Sequence, residues 1–334
     1  MMKRRGTRAG RVLRLSLLLA AVTACGEHQP PAPATGNAGD AASARGASAA
    51  VAAGAMSAAP AAAPDSGAAL HMVLSQDNVH IEYHLYGHGD PAVLLVHGWA
   101  CDGNYWHAQI DELAARYTVV TMNLAGHGAS GSNRTDWSIA NYAQDVAAVA
   151  REIPNPQLVL VGHSMGAAVV LTATPLIGTR VIGIIAVEAL RTVGRPPKSA
   201  RDIERRIAPF SADFVGETRR LVSESLFRKD ANRALVQKVA YDMSLEPPDV
   251  GVASLQSLLA MDFSSLLPDT KVPVMAINSD LSPTDEARIR KSLPGFQVEI
   301  LAHTGHFLMM EVPQRFNPVL LKDIDVLVQK AQQH

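Results

Sequence analysis

The chain has 334 residues, 48% of them hydrophobic and 18% charged, with a formal net charge of -1. That length holds one large domain or two small ones, the composition is ordinary for a globular protein, and the near-zero charge gives no electrostatic case for nucleic acid or an anionic surface. No basic stripe interleaved with aromatic residues runs through it, so the usual signature of nucleic-acid recognition is missing.

Residues 1–25 begin with the basic run MMKRRGTRAGRVLR, continue through the apolar LSLLLAAVTA and end at Cys25. The apolar part is too short to span a bilayer and carries the flanks of an export signal. Val22-Thr23-Ala24-Cys25 resembles the lipobox of bacterial lipoproteins, in which small residues precede a cysteine that becomes the lipidated N-terminus. The competing reading is a plain secretory signal cut after Ala24. The resemblance implies export to the bacterial cell envelope, facing the periplasm or the exterior, with a membrane link only through lipid on Cys25. More than one acyl chain is what stable anchoring needs. Residues 26–69 are Ala, Gly, Pro and Ser with hardly a large side chain. Such a stretch cannot bury enough apolar surface to offset its ordering entropy and is expected to be a disordered tether.

Residues 70–334 are then one domain, enough for a sizeable core. Of the two cysteines, Cys25 is committed to lipid in this reading, so Cys101 has no partner and the fold is expected to stand without disulfides. In chain order, HMVLS and VHIEYHLYG alternate as half-buried strands, and AVLLVHG is an apolar run of the kind buried on both faces. YWHAQIDELAA has helical spacing, YTVVTMN is a strand, IANYAQDVAAVAREI a helix, QLVLVG a strand, MGAAVVLTATPL a helix and VIGIIAVEA a strand. Alternation this regular predicts an α/β fold with a doubly wound, mostly parallel sheet. From about residue 191 to 265 the chain turns charged and helical, which predicts a helical cap over the carboxyl ends of the strands, where open α/β sheets bind ligands. The strands VPVMAIN and FQVEIL, the helix-like PTDEARIRKSL and a final helix from about Pro313 resume the alternation.

Gly162-His163-Ser164-Met165-Gly166 fits G-x-S-x-G between a strand and a helix. A serine on that tight turn projects its hydroxyl over the sheet edge, so its neighbours two away must be small. The Met165 amide, opening the helix, can hold a developing oxyanion with the helix dipole behind it. A serine hydroxyl needs a general base, itself oriented by an acid. His306, in the loop after FQVEIL, is the expected base, with His303 its competitor. Asp280, just beyond VPVMAIN, is the expected acid, with Glu188 at the end of VIGIIAVEA as the rival carboxylate. The Trp99 amide, after His97-Gly98, supplies a second oxyanion donor.

Together, LLVHGW, NLAGHGASG, LVGHSMG and TGHFLMMEVP resemble the α/β-hydrolase superfamily, specifically its capped branch of small esterases and lactonases. The resemblance covers residues 92–312 and departs at three places. Asn123 stands where the family's loop often begins with Asp, INSD replaces the usual Gly-containing turn before the acid, and the nucleophile is Ser, which disfavours branches that form an ester on Asp. The implied activity is a serine hydrolase cleaving a small, largely apolar carboxylic ester or lactone through an acyl-serine, with no cofactor and no metal. Trp99, Tyr105 and Trp106, with Phe210, Phe214, Met243 and Met261 of the cap, are candidate pocket walls. An amidase, a C–C hydrolase or a perhydrolase on the same triad, or a ligand-binding protein with a hydrolase fold, remain as alternatives.

Overall fold

The computed structural model describes residues 69–267 and 270–333. The expected export signal, Cys25 and the expected tether over residues 26–69 lie outside the described residues, except for Ala69, which opens β1. Eight strands form one sheet: β1 (Ala69–Leu74), β2 (His80–Tyr86), β3 (Ala92–Val96), β4 (Thr118–Met122), β5 (Leu158–His163), β6 (Val181–Val187), β7 (Val274–Ser279) and β8 (Gln297–Leu301). They stand in the order β1-β2-β4-β3-β5-β6-β7-β8. β1 and β2 pair antiparallel, as do β2 and β4, and all other neighbours pair parallel. Every residue of β3, β5 and β7 is buried, as a Val/Ile/Leu-rich parallel strand covered on both faces requires.

The helices α1 (His107–Ala114), α2 (Ile139–Glu152) and α3 (Met165–Ile177) alternate with these strands. Between β6 and β7 come α4 (Ala200–Ala212), α5 (Phe214–Leu221), one turn of π-helix (Val222–Leu226), α6 (Arg233–Met243), α7 (Pro248–Ala260) and α8 (Phe263–Leu266). α9 (Glu286–Ile289), α10 (Leu308–Glu311) and α11 (Pro313–Ala331) complete the chain. α2 packs on α3, while α1 packs on α11, which lies against β6, β7 and β8. The α/β-hydrolase fold is therefore present, with eight strands, a mostly parallel sheet and helices wound around it.

The expected helix in PTDEARIRKSL shrinks to the single turn of α9. Asp285 caps it from outside, its side chain accepting from the Arg288 amide, and Pro294 soon follows. The inserted helices bury Ile207, Phe210, Phe214, Val239 and Met243 against the core. The Trp99 indole N–H donates to the Gly251 carbonyl of α7 at 2.8 Å, which ties the insertion to the loop after β3.

Candidate active site

Ser164 links β5 directly to α3 and adopts φ 51°, ψ -110°. A non-glycine residue pays strain there, on the order of 1–3 kcal/mol, and strain of this kind is held where function requires the geometry. A Cβ on Gly162 would lie 2.4 Å from the Gly166 carbonyl, and one on Gly166 would lie 2.5 Å from the carbonyls of Val96 and His97. The small residues are thus demanded by the close approach of β3, β5 and the first turn of α3. Ser164 is half-buried and Met165 fully buried. Neither the Trp99 nor the Met165 amide is among the turn and loop amides that donate to a backbone carbonyl in the described residues.

His306 lies between β8 and α10, its side chain 12% exposed. Its backbone is held from three sides. The amide donates to the Leu226 carbonyl at the end of the π-helical turn at 2.7 Å. The Glu311 carboxylate accepts from the flanking amides of Gly305 at 2.9 Å and Phe307 at 3.0 Å. The His306 carbonyl accepts from the His163 Nε2–H at 2.9 Å, which places His306 beside the residue that precedes Ser164. Gly305 is required by that packing, since a Cβ there would meet the Leu226 carbonyl at 2.7 Å. His303, the alternative base, is exposed.

The carboxylate brought to His306 is Glu188, not Asp280. His306 Nδ1 lies 3.2 Å from Glu188 Oε2, and Glu188 is buried. Asp280 instead accepts from the Thr304 amide at 3.4 Å and pairs with Arg228 Nη1 at 3.4 Å, with its side chain 34% exposed. Register explains the difference. His163 pairs with Val187, and Val187 with Ile277, so Ser164, Glu188 and Asn278 stand level while Asp280 lies two residues further on. Neighbouring strands are roughly 4.8 Å apart, which leaves Glu188 one strand from Ser164. β7 also continues past this level through buried Asn278 and Ser279. The Asn278 side chain is bonded to the Ala189 backbone, and the Ser279 amide donates to Glu188.

Burial alone would raise the Glu188 carboxyl, but the His306 hydrogen bond and the Arg191 guanidinium outweigh it and hold it down at about 2. Burial, with His306 beside it, brings the His163 imidazole down to about 3. His163 is thus a neutral donor to a backbone carbonyl. Burial lowers His97 to about 4; its Nδ1–H donates to the Gly98 carbonyl and its Nε2 accepts from the Leu124 amide. Cys101 is buried, with its thiol pushed well above the ordinary value by burial, as suits a packing residue.

Of the expected pocket walls, Trp99 meets Phe210 and Phe214 edge-on, with ring centroids 5.6 and 5.8 Å away. Trp106 is fully buried in the core, against Phe316 and His163, and Tyr105 packs on Phe307. The sequence reading overlooked Arg191 and the Leu226 carbonyl. The signal for Arg191 is an opposite charge three residues after Glu188 in VEALRTV.

Residues 93–319 match the profile of the alpha/beta hydrolase family, and the chain belongs to that family. It is 28% identical, over 56% of its length and 74% of the relative's, to a pimeloyl-[acyl-carrier protein] methyl ester esterase of Methylococcus capsulatus. It is 24% identical to the karrikin insensitive 2 receptor CA of Petunia hybrida, over 72% of this chain and 94% of the receptor. A thermophilic esterase from Thermogutta terrifontis superposes with a TM-score of 0.68 at 21% identity, covering 78% of this chain and 99% of the esterase.

Proposed function

We propose that the protein is a serine hydrolase acting on a small, largely apolar carboxylic ester or lactone. The observation that carries this reading is the His306–Glu188 pair packed against His163, the residue that precedes a serine held in strained geometry at the head of α3. Ser164 Oγ attacks the carbonyl carbon while His306 Nε2 takes its proton, and the Trp99 and Met165 amides receive the tetrahedral oxyanion. The Glu188 carboxylate fixes the imidazole by its Nδ1–H and stabilises the cation that forms. His306 then protonates the departing alkoxide, and the same base activates water to cleave the acyl-serine. The aromatic contact of Trp99 with Phe210 and Phe214 supports an apolar substrate group near the oxyanion donors. No step needs a cofactor.

The test compares the protein with Ser164→Ala on 4-nitrophenyl esters of rising chain length and on a lactone series, alongside fluorophosphonate labelling. The variant should lose kcat/KM by about a thousandfold or more and lose all labelling. Equal activity in the two proteins would sink the serine mechanism. Absence of both turnover and labelling in the parent protein would favour a ligand-binding role on the same fold.

A further inference from the structure

Arg191 is 4% exposed and lies three residues beyond Glu188, in the turn that leaves β6. Its guanidinium forks the Glu188 carboxylate, Nη1 to Oε2 at 3.0 Å and Nη2 to Oε1 at 2.7 Å. The guanidinium is also anchored to backbone at and just beyond the carboxyl end of β7, Nε to the Ser282 carbonyl and Nη2 to the Ser279 carbonyl, both at 3.1 Å. The Arg191 carbonyl is in turn gripped by Arg288 Nη2 at 2.9 Å. The arginine is therefore fixed before it meets the carboxylate.

A carboxylate offers about four lone-pair directions. In Glu188, Arg191 takes two and the Ser279 amide takes a third, which leaves one on Oε2 for His306 Nδ1. With three donors fixed, the carboxylate cannot rotate away from the imidazole. The guanidinium also offsets the charge that the imidazole feels, an effect that is strong where neither group reaches water.

We propose that Arg191 is a positioning residue for the reaction at this site, locking the Glu188 carboxylate against His306 and offsetting its charge, and thereby setting the acid limit of activity. This rests on the serine-hydrolase reading. Without the offset, an unpaired carboxylate beside the ring holds a proton on it more strongly, and the base is lost at a higher pH. The other charged or titratable groups around the pair are few. His163 lies against His306 with ring centroids 4.8 Å apart, Glu311 braces the same loop through backbone amides, and Asp280 and Arg228 flank Thr304. Asp285 pairs with Arg288 behind the Arg191 carbonyl. Among the described residues, Arg191 is the Lys or Arg side chain bonded to Glu188.

The experiment measures kcat/KM against pH for the full chain, Arg191→Met and Arg191→Lys on a neutral 4-nitrophenyl ester, with active sites counted by fluorophosphonate. Arg191→Met should lower kcat about tenfold or more per titrated site while KM stays within about threefold, and its acid limb should move up by about half a pH unit or more. Arg191→Lys keeps the charge and loses the fork, so its acid limb should stay near the parent's while kcat falls. A titration of histidine ring resonances by NMR reads the same upward movement at His306 without any turnover. A parent protein inactive on every ester would therefore overturn the serine-hydrolase reading while still testing Arg191. Unchanged acid limb and unchanged His306 titration in Arg191→Met would overturn the proposal, leaving the arginine a purely structural role. If Arg191→Met does not fold, parent-like kcat in Arg191→Lys overturns it equally.

Discussion

Glu188 follows β6 directly and sits at φ 55°, so two residues at adjacent strand ends, Ser164 and Glu188, both hold positive φ without being glycine. Strain at neighbouring strand ends, one of them carrying the carboxylate bonded to His306, is what a site selected for geometry leaves behind. Asp280 makes none of these contacts and serves to brace Thr304 and Arg228. Glu188→Gln should lower kcat/KM by about a hundredfold to ten-thousandfold, the range spanned when the orienting acid of a triad loses its charge. Asp280→Asn should stay within about threefold of the parent, because it touches neither the serine nor the base. Steady-state kinetics on one ester, with the folded fraction of each variant checked by thermal melting, decides between them. The reverse ranking would return the acid to Asp280. Motif and chain order single out Ser164 and His306 as candidates, whereas they leave the acid open between two carboxylates. Both carboxylates end apolar runs, and only strand register and the donors converging on Glu188 separate them.

At the scale of elements, the strands were legible because long Val/Ile/Leu runs between turn residues admit little else in an alternating chain. The contacts between the inserted helices and the sheet were not, because they join residues far apart in sequence. Asn123 illustrates this. Its Nδ2 donates to buried Glu82 at 2.5 Å while its Oδ1 accepts from the Gly103 amide at 2.7 Å, so an aspartate there would place a second carboxylate against Glu82. The departure from the family's pattern is compensation for a residue in β2. A second such seam joins the turn between α6 and α7 to the loop after β4, where Glu246 Oε1 lies 3.3 Å from His127 Nε2 with both side chains buried. Burial, reinforced by Asp249 and Asp102, pushes the Glu246 carboxyl up to about 9. Burial, with His97 nearby, brings His127 down to about 3. The contact is thus a neutral acid facing a neutral imidazole, whose Nδ1–H is spent on the Ala125 carbonyl.

Between the ordinary carboxyl value of 4.5 and about 9, the folded state holds a proton that the unfolded state has released, so stability falls as pH rises through that window. The slope is up to about 1.4 kcal/mol per pH unit. Glu246→Gln removes the titration at nearly unchanged side-chain size. Its melting temperature relative to the parent should therefore rise between pH 6 and 9, at about 2–4 °C per kcal/mol for a domain of this size class. Parallel pH profiles of melting temperature for the two proteins would show that Glu246 does not carry a buried proton.

For the whole molecule, the fold and the order of its motifs were written in the sequence, because a doubly wound sheet repeats one supersecondary unit whose strands and helices differ in period. The export expectation rests instead on Val22-Thr23-Ala24-Cys25 and the basic and apolar runs before it. We propose that Cys25 carries the lipid and that the hydrolase works at the cell envelope. If so, anchoring and catalysis are separable, since the residues assigned to chemistry run from Trp99 to His306 and none lies near Cys25 in the chain. Cys25→Ser should abolish incorporation of labelled palmitate and move the protein from the detergent phase to the aqueous phase. Its kcat/KM on a soluble ester should remain within about twofold of the parent, as expected for independent sites. Unchanged palmitate labelling or unchanged partition would remove the lipid from Cys25. Loss of activity together with loss of the lipid would show that the envelope surface itself takes part in presenting the substrate.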